Sequence, residues 1–94
     1  MPVDPIATEL RRVSRRWHEL PEEAARENAS LLRELAQELA DTTRTAAGRE
    51  RLVIPDLGTA TLLDQLTVMV YDASRAGLDE QVLRGLTRVR RALP

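Results

Sequence analysis

The sequence contains no cysteine, no lysine and no phenylalanine. Without cysteine the chain can form neither a disulfide framework nor a thiolate that acts as a metal ligand or nucleophile. Without lysine it has no Schiff-base amine and no lysine for a phosphate-binding loop. A single histidine, His18, cannot complete a zinc site without cysteine partners. We therefore expect no metal centre and no cofactor.

Aromatic residues and long apolar runs are also scarce. Trp17 and Tyr71 are the only aromatic residues, which disfavours a platform on which single-stranded nucleic acid stacks. No segment approaches the ~20 apolar residues of a membrane-spanning helix, and residues 1–10 hold no basic cluster of the kind that begins a signal peptide. We expect a cytoplasmic protein that contacts no membrane. The bias towards Arg, Ala and Leu suggests a GC-rich bacterial genome.

The composition that remains is that of one small globular domain. The 94 residues are 43% hydrophobic and 31% charged, which is ordinary for a soluble protein. Single domains run to about 100–150 residues, so a second core has no room. Residues 1–94 are predicted to form a single helical domain.

Two amphipathic helices are predicted in the first half of the chain. The first begins after Asp4, whose carboxylate can cap it, and ends before Pro21, which disfavours helical geometry at the preceding residue. The second covers residues 21–41, where alanines would permit close approach of another helix. Residues 41–50 contain three threonines and a glycine and are predicted to form a loop. The apolar stripe of the first helix consists of Ile6, Leu10, Val13, Trp17 and Leu20.

A short extended segment and a central helix are predicted next. Residues 51–55 are rich in branched side chains and end in proline, which is typical of either an extended segment lying on the bundle or a lone edge strand. Residues 57–76 are apolar over more than half of the helical circumference, which indicates a central helix. Asp56 or Thr59 is expected to cap it.

The last helix completes the predicted fold class. Gly77 is expected to end the third helix in the left-handed conformation, and Asp79 to cap a fourth that reaches Leu93. The prediction is therefore all-α, a small four-helix bundle made of two helical hairpins. The extended segment lies in the crossing between helices two and three.

Two residues of the third helix suggest a function. Val68 and Tyr71 lie outside its main apolar stripe, and a bundle of this length struggles to cover so apolar a helix without a partner surface. We expect a non-catalytic protein–protein interaction or regulatory module that forms a homodimer and binds an unidentified protein. The alternative is that both residues merely pack against residues 51–55. The common nucleotide-binding, esterase and metalloprotease motifs are absent, so no catalytic residue is predicted.

Arginines on the first and last helices suggest an alternative function, nucleic-acid binding. Guanidinium groups one turn apart can bind neighbouring phosphates or carboxylates in bidentate geometry. A net charge of -1 is far from the basic footprint of nucleic-acid-binding proteins and favours a solvated surface instead. The candidate contact residues are Arg11, Arg12, Arg15, Arg16, Arg84 and Arg88.

One stretch resembles the spacing of a helix-turn-helix motif. It comprises residues 73–78 and the two leucines that follow within the next helix. The resemblance implies that Gln81, Arg84 and Arg88 face the major groove. A helical hairpin interrupted by glycine explains the same residues.

Overall fold

The computed structural model describes residues 4–94, and this part of the chain contains five α-helices and no β-strand. The helices are α1 (Pro5–Glu19), α2 (Glu22–Glu27), α3 (Ala29–Ala46), α4 (Leu62–Arg75) and α5 (Asp79–Ala92). The all-α fold class is therefore confirmed. None of these helices is both long enough and apolar enough to cross a lipid bilayer.

Helix α1 begins and ends where the sequence predicts. The carboxylate of Asp4 accepts hydrogen bonds from the backbone N–H groups of Ile6 and Ala7, at 3.1 and 3.2 Å. Pro5 occupies the first helical position, where its missing N–H costs nothing. Leu20 is extended, with ψ of 136°, as expected of the residue before a proline.

The helix predicted over residues 21–41 is in fact two helices, and that prediction is wrong in this respect. The break is at Asn28, whose side-chain amide donates to the carbonyl oxygen of Ala24 at 2.8 Å. A short polar side chain that bonds to the backbone competes with continued helix, which an apolar pattern does not reveal. Helix α3 then continues to Ala46, so the first part of the loop predicted over residues 41–50 is helical.

Helix α4 begins at Leu62, later than predicted. Neither Asp56 nor Thr59 caps it, and a turn of 3-10 helix at Thr59–Thr61 leads into it instead. Asp56 accepts a hydrogen bond from the backbone N–H of Gly58 at 3.0 Å. The carboxylate therefore stabilises the loop before the helix, and Gly58 itself, with a φ of +91°, lies outside helical geometry just before the 3-10 turn begins.

The turn between α4 and α5 confirms one prediction and corrects another. Gly77 has a φ of +82°, and the N–H of Leu78 donates to the carbonyl of Ala73 at 3.0 Å, so glycine ends α4 as expected. Asp79 does not cap α5. It is the first residue of that helix, and its carboxylate accepts a hydrogen bond from the hydroxyl of Ser74 at 2.6 Å. Its side chain therefore ties the end of α4 to the start of α5.

Helix pairing differs from the two sequential hairpins of the prediction. Helix α1 packs mainly along α5, and α3 packs mainly along α4. Contacts of α5 with α3 and α4 join the two pairs, while the short α2 contacts α3. The first and last helices of the described chain are thus neighbours.

The core lies between the two helix pairs. The Cα atoms span 39 × 37 × 17 Å, so the molecule is flat, with the thickness of two helix layers about 10 Å apart. Helices α3 and α5 cross closely at Gly85, where a Cβ atom would overlap Cδ1 of Leu35. The largest fully buried side chains are those of Val13, Leu32, Leu35, Leu39, Leu62, Leu66, Val70, Val82 and Leu86.

Candidate interaction surface

Residues 50–56 run back along one edge of α3, and we call them the strap. Near the C-terminal end of α3, Nε of Arg44 donates to the carbonyl oxygen of Glu50. Three turns earlier on the same edge, Arg33 binds the carboxylate of Asp56 at 3.2 Å. The strap is therefore antiparallel to the helix. The four side chains of α3 that bind it are Arg33, Gln37, Asp41 and Arg44.

The side chain of Gln37 binds the backbone in the middle of the strap, as a neighbouring β-strand would do. Its Nε2 donates to the carbonyl oxygen of Leu52 at 2.9 Å, and its Oε1 accepts the N–H of Ile54 at 2.8 Å. These are the groups that a β-strand partner would satisfy. The segment predicted as either extended or a strand is consequently extended without forming a strand. Val53, between the two bonded residues, is exposed to solvent.

Asp41 holds the next part of the strap. Its carboxylate accepts Nε2 of Gln37 at 2.8 Å and the guanidinium of Arg51 at 3.0 Å. These hydrogen bonds lower the pKa of Asp41 below its usual value, and the bond from Gln37 has the largest effect. Burial raises the pKa, but its effect is smaller. The carboxylate therefore stays ionised at neutral pH and keeps both of its partners.

The strap and α4 enclose an apolar groove of about 410 Å³. Gln65 of α4 binds the strap from this side, since its amide donates to the carbonyl oxygen of Pro55 at 2.9 Å. Val68 lines the groove, whereas Tyr71 does not. The apolar residues that line it include Leu52, Val53, Ile54, Pro55, Val68 and Met69.

The exposed large apolar side chains of the described chain are concentrated in this region. They all belong to α4 or to residues 52–57, and none belongs to α1, α3 or α5. The strap therefore passes beside Val68 without covering it, and Tyr71 is left exposed as well. The exposed fractions are 59% for Leu52, 89% for Val53, 60% for Leu57, 53% for Val68 and 62% for Tyr71.

The outward side of α4 has a regular arrangement. Asp64, Val68, Tyr71 and Arg75 are all exposed, and their spacing of four, three and four residues places them on one line. With 3.6 residues per turn, they lie within an arc of about 60°. We call these residues the α4 stripe. Two opposite charges flank an apolar pair, and neither charge forms a salt bridge within residues 4–94.

The arginines predicted on the first helix are only partly free. Arg12 binds Glu9 at 2.9 Å, and Arg16 donates to the carbonyl oxygen of Pro94 at 3.2 Å. Arg11 and Arg15 are exposed and form no salt bridge within the described chain. The predicted patch thus has two arginines bound to this protein's own groups.

The arginines predicted on the last helix lie elsewhere and also have partners. Arg84 binds Glu80 at 2.6 Å on α5 itself, and Arg88 binds Glu38 of α3 at 2.9 Å. Gln81 is exposed beside them. Arg84 and Arg88 line a groove along α5 that is separate from the cleft lined by the arginines of α1.

Glu9, which was not predicted from the sequence, is the one charged residue buried in the described chain. Its carboxylate accepts Nε of Arg90 at 2.7 Å and Nη1 of Arg12 at 2.9 Å. Burial raises the pKa of Glu9, but the hydrogen bonds and positive charges of Arg90 and Arg12 together outweigh it, so the pKa lies below its usual value. The spacing of Glu9 and Arg12, one turn apart, is the only feature of the sequence that indicates this cluster.

Packing of α1 against α5 also creates a cleft that carries positive charge. Its volume is about 370 Å³, and it combines residues of the first helix with Arg90 of the last. Glu19 lies in the same cleft and reduces its positive charge. The lining residues are Arg12, Arg15, Arg16, Glu19 and Arg90.

No metal site is found in the described part of the chain, and comparison with known proteins gives no further site. Across residues 4–94, no three acidic or histidine side chains come together in a way that could hold a metal ion. Comparison with protein-family models, with curated proteins and with solved structures found no match for this chain.

Proposed function

We propose that the protein is a non-catalytic helical interaction module that self-associates through the α4 stripe and the edge of the apolar groove. The observation that carries this proposal is that Val68 and Tyr71 stay exposed although the strap passes beside α4. Removing apolar surface from water contributes about 25 cal/mol per Å², so a second surface placed here gains free energy. The assembled form would then bind or regulate another protein.

Two of the four polar residues that line the groove are used by the fold itself, which supports a contact surface there. Arg44 and Gln65 both line the groove, and both are used to hold the strap. Most of the remaining lining is aliphatic. An apolar groove of this kind offers shape and buried area to a partner.

Light scattering tests the proposal directly. Over ~10–200 µM, self-association by mass action raises the measured mass from 10.6 kDa towards twice that value. Val68→Glu should keep the protein at the monomer mass, while Gln81→Glu on α5 is the matched control and should associate like the original protein. A monomer mass for the original protein throughout this range would refute the proposal.

Nucleic-acid binding is the second candidate function. The observation in its favour is that the packing of α1 against α5 gathers Arg12, Arg15, Arg16 and Arg90 around one cleft. Phosphate contacts release counterions, so binding should fall by orders of magnitude between ~50 and ~200 mM salt.

Anisotropy with labelled duplex and single-stranded nucleic acid tests this candidate. Replacing Arg11, Arg12, Arg15 and Arg16 together by Gln should abolish binding at the lower salt concentration. Arg26→Gln on α2 is the control and should leave it unchanged. Equal binding by the fourfold variant and the original protein would refute a role for these arginines.

A further inference from the structure

We infer that a second copy of this chain docks on the α4 stripe with the two α4 helices antiparallel, related by a two-fold axis that passes between Met69 and Val70. This inference rests on the proposed self-association and specifies its geometry. The residues that carry it are the four of the stripe.

The positions of these residues are symmetric about one point of α4. Val68 and Tyr71 are equally far from the midpoint between Met69 and Val70, and Asp64 and Arg75 are also equally far from it. In an antiparallel pair centred there, Val68 faces the partner's Tyr71, and Asp64 faces the partner's Arg75. A two-fold axis repeats each of these contacts twice.

The charges distinguish this arrangement from a parallel one. Parallel α4 helices in register would place Asp64 against the partner's Asp64 and Arg75 against the partner's Arg75. Like charges opposite one another are destabilising, and such repulsion sets the orientation of helix pairs. The antiparallel pair replaces both repulsions by attractions. A two-fold contact is also closed, so assembly stops at the dimer.

The two charges are available for contacts between molecules. Within residues 4–94, neither Asp64 nor Arg75 forms a salt bridge, whereas Arg84 and Arg88 on the neighbouring α5 are both paired. An exposed ion pair contributes little affinity, but charges at the edge of an interface determine orientation and exclude wrong registers.

The groove beside α4 supplies the remaining contact area. Val68 belongs both to the stripe and to the groove lining, so the partner's Tyr71, which faces Val68, lies at the mouth of the groove. A tyrosine ring offers a large contact area at low cost in conformational entropy. A standard interface takes about 800 Å² from each partner, roughly an eighth of the 6241 Å² surface of this chain. The strap residues Leu52 and Val53 contribute to that area.

Charge reversal tests the geometry by sedimentation or light scattering. Asp64→Arg or Arg75→Asp alone places like charges at both ends of the contact, and each should raise the dimer dissociation constant roughly tenfold or more. The double variant D64R/R75D restores opposite charges and should bring the constant back to about its original value. The matched controls, Glu34→Arg and Arg49→Asp, make the same charge changes at exposed positions outside the stripe and should have little effect.

Disulfide trapping provides a second test that does not depend on affinity. Because the chain has no cysteine, an introduced one is the only thiol. A disulfide requires Cα atoms within about 7 Å, so it reports register. The antiparallel pair should give a mixed disulfide when Asp64→Cys and Arg75→Cys chains are combined, and little disulfide in either chain alone.

The outcomes separate this inference from the proposed function. Disulfides between identical positions would overturn the antiparallel geometry while leaving self-association in place. A double variant D64R/R75D that fails to restore the original dissociation constant would do the same. A protein that stays monomeric at every concentration would overturn both.

Discussion

The carbonyl oxygen of the Gln37 side chain accepts the backbone N–H of Ile54 at 2.8 Å. The amide of the same side chain donates to the carbonyl of Leu52 at 2.9 Å. One glutamine side chain on a helix thus forms hydrogen bonds with the backbone of an extended segment on both sides of a single residue. This residue, Val53, is the most exposed large apolar side chain of the described chain. The helix that binds the strap therefore also positions part of the proposed contact surface.

Gln37→Ala should loosen the strap. The half-buried N–H of Ile54 would lose its partner, and an unsatisfied group of this kind costs about 1–3 kcal/mol in free energy of unfolding. Hydrogen exchange at the Ile54 amide should become faster, while the core of α3 keeps its protection. Gln81→Ala, at an exposed glutamine on α5, is the control and should leave this amide unchanged. Unaltered protection of Ile54 in the Gln37 variant would contradict this role.

Acid should destabilise the fold through Glu9 and Asp41. Both carboxyl groups have a pKa in the folded protein below their ordinary values of 4.5 and 3.8. A lowered pKa means that the folded state favours the ionised form, so this stabilisation is present above the unfolded-state pKa and is lost as pH falls through the folded-state pKa. Urea unfolding at a series of pH values should therefore show stability falling below ~pH 4.5.

Glu9→Gln measures how much of this pH-dependent stability comes from the buried carboxylate of Glu9. At neutral pH the variant should lose about 1–3 kcal/mol, because Arg90 and Arg12 each lose a hydrogen bond to a charged acceptor. In acid, where Glu9 of the original protein is protonated, the difference should shrink. A constant difference at all pH values would contradict the assigned ion pairs.

Gly85→Ala should destabilise the protein although alanine favours helix. Alanine stabilises the interior of a helix by about 1 kcal/mol relative to glycine, because its helix propensity is higher. The added Cβ would, however, overlap Cδ1 of Leu35, a side chain that is fully buried in the core. Overpacking of this kind costs about 1–3 kcal/mol. We expect a net loss of about 1 kcal/mol, measured by chemical denaturation.

A double-mutant cycle checks the cause of that loss. Leu35→Val removes the atom that the new Cβ would meet, so Gly85→Ala should cost less in the Leu35→Val background than in the original protein. Additive effects of the two substitutions would show that the overlap is not responsible.

Leu52→Ser combined with Val53→Ser should weaken self-association without unfolding the protein. Both side chains are exposed, so their replacement should change the free energy of unfolding by no more than about 0.5 kcal/mol. The hydrogen bond between Gln37 and Leu52 uses the backbone and survives the change. Sedimentation should show a larger dissociation constant with an unchanged melting temperature. A lower melting temperature at the same dissociation constant would assign these residues to the fold instead.

The candidate surface was predictable only in part. The helical period alone places Val68 and Tyr71 outside the main apolar stripe of their helix, and both are exposed in the structure. The contribution of Leu52 and Val53 was not predictable, because an apolar segment beside a bundle is expected to pack inwards. Ile54 does pack against the core, but Leu52 and Val53 stay exposed on a strap that Gln37 binds through its backbone.

The sequence by itself determined the helical fold class and several helix ends. Asp4, Pro21 and Gly77 act through backbone geometry and hydrogen bonds within one turn of chain, so their effects can be derived without the rest of the molecule. Only the tertiary structure decided that α1 pairs with α5, because one amphipathic stripe can pack against any other of similar width. It also decided that Glu9 is buried, since its partner Arg90 is brought to it by that pairing and lies far away along the chain.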